Sequence, residues 1–221
     1  MANLSVQVGS HGLPGTLAVP HGARGLVVFA HGSGSSRHSP RNRAVADALQ
    51  GVGCATLLFD VLTDDEGLDR ANVFDIPLLG QRVIEAVAWV RTQPLVASLP
   101  VGLFGASTGA AAALWCASSP GTDVSAVVSR GGRPDLCPPG RLARVRAPTL
   151  LIVGAFDHDV LALNEQAASS LHCQWALQVV PGATHLFEEP GTLEEACQGA
   201  RRWFAQWLWN EGGLNASSTA S

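Results

Sequence analysis

The chain has 221 residues, 47% of them hydrophobic and 14% charged, with a formal net charge of −4. That length and apolar content suit one α/β-sized globular domain with a sizeable core. The 14 basic residues are scattered and all are arginine, which excludes lysine Schiff-base chemistry and the Gly-Lys-Ser/Thr phosphate loop and leaves no footprint for nucleic acid or acidic lipid.

Two strand-like pieces open the chain, at 4–8 and 13–19. Continuous apolar runs follow at 25–30, 55–59, 101–104, 124–129, 149–153 and 175–180, as expected of strands buried on both faces of a parallel sheet. Helical patterns lie between them. Residues 41–51 follow Ser39-Pro40, a start signal, and end at glycine. Residues 77–92 place Leu79, Val83, Val87 and Val90 on one stripe. Further helices are expected at 107–118 and 164–171, and a last one at 193–208, where Ala200, Trp203, Phe204, Trp207 and Leu208 recur at helical spacing. Strands alternating with helices predict an α/β fold with a doubly wound, mostly parallel sheet. The acidic segment 60–75 reads as a solvated loop rimming the site. A single domain is expected over 1–210, with a disordered tail at 211–221.

The decisive stretch is Val101-Gly-Leu-Phe-Gly-Ala-Ser107-Thr-Gly109-Ala110: strand, G-x-S-x-G, then small helix-compatible residues. A nucleophile elbow needs that context, because the turn at the serine is so sharp that only tiny neighbours avoid a clash. The turn lifts the Ser107 hydroxyl above the sheet and aims the Thr108 amide, in the first turn of a helix, at an oxyanion forming beside it. Asp157 follows the run 149–153, and His185 follows the run 175–180. The order is Ser107, Asp157, His185, each just past the carboxyl end of a strand, where open α/β sheets gather their ligands. The residue types match the task. A serine hydroxyl is barely ionised at neutral pH; an imidazole must take its proton and return it to the leaving group, and a carboxylate must orient that imidazole. His31-Gly32-Ser33-Gly34, after the first long run, supplies a second oxyanion N–H, assigned to Ser33; His31 itself is read as a structural hydrogen-bonding residue of the turn. Arg37 and Arg130 are candidate contacts to a substrate carboxylate through the guanidinium fork, with Arg41, Arg43 and Arg133 nearby and an Arg130–Asp135 pair as the plainer alternative.

Together with Ser129-Arg-Gly-Gly-Arg-Pro-Asp135 and Gly182-Ala-Thr-His185-Leu-Phe-Glu-Glu-Pro190, these motifs resemble the α/β-hydrolase superfamily and, within it, the dienelactone-hydrolase-like branch. The resemblance covers residues 6 to about 208. It implies the doubly wound sheet, the roles above for Ser107, Asp157 and His185, and hydrolysis of small esters or lactones. Dienelactone hydrolases proper carry cysteine at the elbow; Ser107 in its place points to a carboxylesterase.

Only residues 130–148 separate two late strands, and this Pro- and Gly-rich insertion is too short for a helical lid. An open site favouring short acyl chains is therefore expected. The expected partners are a small-molecule ester and water, with no nucleic acid and no membrane. No metal or organic cofactor is called for: the five cysteines, Cys54, Cys116, Cys137, Cys173 and Cys197, form no C-x-x-C pair and read as reduced thiols of a cytoplasmic protein. No signal peptide is visible at the start. The same triad also serves thioesterases, acyltransferases and peptidases, and the fold hosts non-catalytic binding proteins.

Overall fold

The computed structural model describes residues 1–209; the tail 211–221 lies outside them. Eight strands form one sheet: β1 (Ala2–Val8), β2 (Leu13–Val19), β3 (Gly25–Ala30), β4 (Cys54–Phe59), β5 (Val101–Ala106), β6 (Val124–Arg130), β7 (Thr149–Gly154) and β8 (Trp175–Val180). Their order across the sheet is β1-β2-β4-β3-β5-β6-β7-β8. The β1–β2 and β2–β4 pairings are antiparallel, and every pairing from β4 to β8 is parallel. All positions of β3, β4, β5 and β7 are buried, which is why these runs are apolar without alternation.

Helices cover both faces: α1 (Pro40–Gln50), α2 (Asp64–Leu68), α3 (Ile76–Val90), α4 (Thr108–Ala117), α5 (Pro139–Leu142), α6 (His158–Ala168) and α7 (Thr192–Leu208). Val45 and Leu49 of α1 share one apolar cluster with Phe204 and Leu208 of α7 and with Val27 and Phe104 of the strands. On the opposite face, Leu79, Val83 and Val87 of α3 and Ala111–Ala113 of α4 pack with Val28 and Leu103. The alanines let α4 lie close to both sheet and neighbour. A Cβ on Gly80 of α3 would come within 2.3 Å of the Trp115 ring of α4. Among the described residues, no helix is long and apolar enough to cross a membrane.

Strand register sets up one functional edge. Ala30 pairs with Gly105, Ala106 with Arg130, Arg130 with Ile152, and Gly154 with Val180. The loops that follow these strands therefore emerge side by side. The chain leaves β3 toward β4 on one flank and returns as β5 on the other, so the β3/β5 boundary is the switch point where such sheets open a crevice.

Two expectations are corrected. Helix α6 starts at His158 rather than 164, because Asp157 stands at its N-cap. The acidic segment is not plain loop. It folds into α2 and a 3-10 turn at Asn72–Phe74, with a capping box in which Thr63 and Glu66 each bond the other's backbone N–H. Arg82 of α3 then ties Glu66 to the body. The insertion at 130–148 holds only a 3-10 turn (Pro134–Leu136) and the four-residue α5, so it forms no lid domain.

Candidate active site

Ser107 sits between β5 and α4 with φ +51° and ψ −126°, a conformation costing about 1–3 kcal/mol for a residue with a side chain. Its neighbours hold it there. A Cβ on Gly105 would lie 2.4 Å from the Ala110 Cα, and one on Gly109 would lie 2.1 Å from the Ala30 carbonyl oxygen, so β3, β5 and α4 close on the elbow only with glycine at both positions. The Arg133 N–H donates to the Ser107 carbonyl at 3.0 Å. Serine at a helix N-cap usually turns its hydroxyl onto the helix amides; Ser107 occupies the N-cap of α4 and makes no capping bond. Ser107 lines a cavity of about 260 Å³ together with His185, Arg130, Arg41 and Asn42.

Asp157 behaves in the same way. It occupies the N-cap of α6 without capping it, and its carboxylate instead accepts from His185 Nδ1 at 2.7 Å. Because a carboxylate only accepts, Nδ1 carries the hydrogen of this bond, and in the neutral ring Nε2 keeps its lone pair. The Phe156 N–H donates to the Ala183 carbonyl at 2.9 Å, joining the Asp157 turn to the histidine loop. That loop is braced by Glu189, which accepts from the Thr184 hydroxyl at 2.6 Å and the Thr184 amide at 3.1 Å, and by buried Phe187 at φ +57°. Among the described residues, no hydrogen bond joins Ser107 Oγ to His185; both residues line the same cavity.

The oxyanion side differs from expectation in one contact. The Thr108 amide, at the first position of α4, makes no hydrogen bond among the described residues. The Ser33 amide is engaged: it donates to Thr108 Oγ1 at 3.0 Å. The 31–34 loop presses on the elbow, a Cβ on Gly32 coming within 2.8 Å of the Ser107 Cβ. His31 locks this loop. Its Nδ1 lies 3.0 Å from the Gly32 carbonyl oxygen and its Nε2 accepts the Val61 N–H at 3.2 Å, an arrangement only a neutral ring with hydrogen on Nδ1 can make. Burial lowers its pKa against the opposing pull of the Gly32 carbonyl and Asp60.

The arginines sort by partner. Arg37 is turned away from the cavity onto the Asp60 carboxylate, through both backbone and guanidinium. Asp135 takes Arg133, at 2.9 and 2.8 Å, and so leaves Arg130 without a carboxylate. Arg130 is 7% exposed. Among the described residues its Nε and Nη1 have no hydrogen-bond partner, and Nη2 reaches only Asn42 Oδ1 at 3.4 Å. Burial, with the Arg41 charge acting the same way, pulls this guanidinium down to about 10. Arg41 lines the cavity and meets Glu188 at 3.0 Å. Reasoning from sequence did not find the cavity role of Asn42 or the Ser33–Thr108 contact; the S-P-R-N start of α1 was the one available hint of the former. Among the described residues, no group of three or more His, Cys, Asp or Glu is placed to hold a metal ion.

No protein-family model matches the chain. It is 58% identical over 209 residues to two proteins of Mycobacterium tuberculosis, strains CDC 1551 and H37Rv, both named provisionally as a phosphoribosyl transferase; the match takes in 95% of this chain and 47% of each relative. The chain thus spans about half the length of the curated relatives it matches. Among solved structures, a dienelactone hydrolase from Anabaena variabilis superposes with a TM-score of 0.88 at 52% identity, over 94% of this chain and 97% of that one. Est1E from Butyrivibrio proteoclasticus gives 0.77 at 14% identity, over 93% and 98%.

Proposed function

Because the chain belongs to the dienelactone-hydrolase-like branch of the α/β-hydrolase superfamily, we propose that it is a serine hydrolase cleaving small or short-acyl carboxylic esters, or lactones, through an acyl-enzyme on Ser107. The observation that carries this reading is the Asp157–His185 bond of 2.7 Å, made by a carboxylate that forgoes its helix cap, beside a strained serine that forgoes its own. In the proposed cycle His185 Nε2 takes the Ser107 proton as the hydroxyl attacks the acyl carbon. The imidazolium, held by Asp157, then protonates the leaving alcohol, and water repeats the sequence to release the acid.

Two features support a compact substrate: the cavity at Ser107 holds about 260 Å³, and the 130–148 insertion forms no lid domain over it. Arg130 supports an anionic substituent. A buried guanidinium with two unpartnered nitrogens is costly unless something fills the cavity and accepts from it, and Arg41 adds a second positive charge. Arg37, committed to Asp60, drops out of that role. The phosphoribosyl transferase name of the double-length relatives is not carried over. This chain spans about half of them and has no lysine.

A series of p-nitrophenyl esters tests the proposal. The expected result is turnover highest for acetyl to butyryl and falling toward palmitoyl, with Ser107→Ala slower by about 10⁴-fold or more. Full turnover by Ser107→Ala, or activity rising steadily with chain length, contradicts it.

A further inference from the structure

The Thr108 side chain has an unfinished hydrogen-bond account. It is 3% exposed, and its Oγ1 accepts the Ser33 N–H at 3.0 Å. Its own hydroxyl hydrogen has no acceptor among the described residues. A buried hydroxyl that accepts but does not donate leaves a donor unsatisfied, at a cost on the order of 1–3 kcal/mol. The same residue carries the unpaired first amide of α4, next in the chain to Ser107. Thr108 and Ser33 together line the crevice of about 360 Å³ between the 31–36 loop and the 60–68 segment. Thr108 thus carries two donors, one main-chain and one side-chain, next in the chain to Ser107, and Ser33, which lines both this crevice and the Ser107 cavity, directs the amide first assigned to the oxyanion into the hydroxyl oxygen.

We propose that the Thr108 hydroxyl is itself a donor of the oxyanion hole, oriented and polarised by the Ser33 amide behind it. As the acyl carbonyl becomes tetrahedral, its oxygen accepts from the Thr108 N–H and from the Thr108 O–H. Donation by Ser33 into Oγ1 strengthens the hydroxyl as a donor, as hydrogen bonds in series do. No proton is transferred; the hydroxyl hydrogen stays on Oγ1 through both halves of the cycle. Ser33 becomes a positioning group, and Thr108 carries the contact to the reacting atom. This inference rests on Ser107 being the nucleophile.

The test uses Thr108→Val, close in shape but without the hydroxyl, and Thr108→Ser, which keeps it. Each is assayed on p-nitrophenyl acetate and treated with a ¹³C-labelled trifluoromethyl ketone, whose adduct on serine is a stable hemiketal with a titratable oxyanion. Thr108→Val is expected to lose about 10²–10³-fold in kcat with KM little changed, the usual cost of one oxyanion donor. Its hemiketal oxyanion should titrate at higher pH than in the wild type, and Thr108→Ser should restore both. A merely structural loss leaves the hemiketal titration unmoved, and that result overturns the proposal. So does a Thr108→Val enzyme of equal or greater kcat, which makes the hydroxyl only an occupant of the Ser33 amide. A wild-type protein that forms no adduct at Ser107 overturns the nucleophile assignment and this inference together, whereas an adduct with an unchanged titration in Thr108→Val sinks this inference alone.

Discussion

Ser107 and Asp157 share a local position, the N-cap of a helix, and neither uses it as serine and aspartate usually do. Both side chains point outward from the sheet edge, one into the cavity and one onto His185, so each helix goes without roughly 1 kcal/mol of capping. The substitution Asp157→Asn separates the two roles. It should lower kcat by about 10⁴-fold, by upsetting the imidazole tautomer, while moving the thermal midpoint little, because no capping bond is lost. A normal kcat with a lowered midpoint makes Asp157 a structural cap. At this scale the placing of Ser107, Asp157 and His185 just past three strand ends was legible, since strand ends and residue types are both local signals. The Ser33–Thr108 contact was not, because it joins positions 75 apart through a side-chain rotamer that no pattern encodes. Arg37 and Arg41 illustrate the same limit. They are neighbours in sequence, yet Asp60 and the cavity divide them.

Two surface elements shape the mouth of the site, and each is held by a glutamate. In α2, Glu66 bonds the Thr63 amide and Arg82; these contacts outweigh burial, and its pKa lies below the ordinary value. In the histidine loop, the Thr184 hydroxyl and amide lower that of Glu189. A carboxylate lowered on folding stabilises the fold above its ordinary value of 4.5, and that stabilisation is lost as the pH falls through the lowered value. Amide exchange at 63–68 and 184–192 should therefore quicken on acidification below 4.5 before the sheet opens. Glu189→Ala should quicken exchange at 184–192 at neutral pH and reduce turnover by loosening His185. Exchange that stays uniform across the sheet and these loops contradicts this. The T-D-D-E signature of α2 was present in the sequence, but a five-residue helix whose only large apolar side chain is Leu68 read as loop. The early start of α6 was hidden for a related reason: its first turn, His158-Asp159-Val160, carries one buried apolar residue.

Across the whole molecule, the sheet order follows from alternating elements and right-handed crossovers, which is why strand positions and fold class were readable from apolar runs alone. The packing that makes the edge rigid was not. Phe204 of α7 is fully buried against Gly102 of β5, where a Cβ would come within 2.6 Å of its ring. That contact braces the strand leading into the elbow. Phe204→Ala should cost about 3–5 kcal/mol, read as a lower urea midpoint at unchanged slope; a shift under about 1 kcal/mol would mean the site edge is braced elsewhere. The central claim concerns a single atom, Ser107 Oγ. Reaction with a fluorophosphonate, followed by digestion and mass mapping, tests it most directly. The account predicts one phosphonyl group per chain, on the peptide carrying Ser107, and none in Ser107→Ala. Labelling of another residue, or a chain left unmodified while it turns over ester, contradicts it.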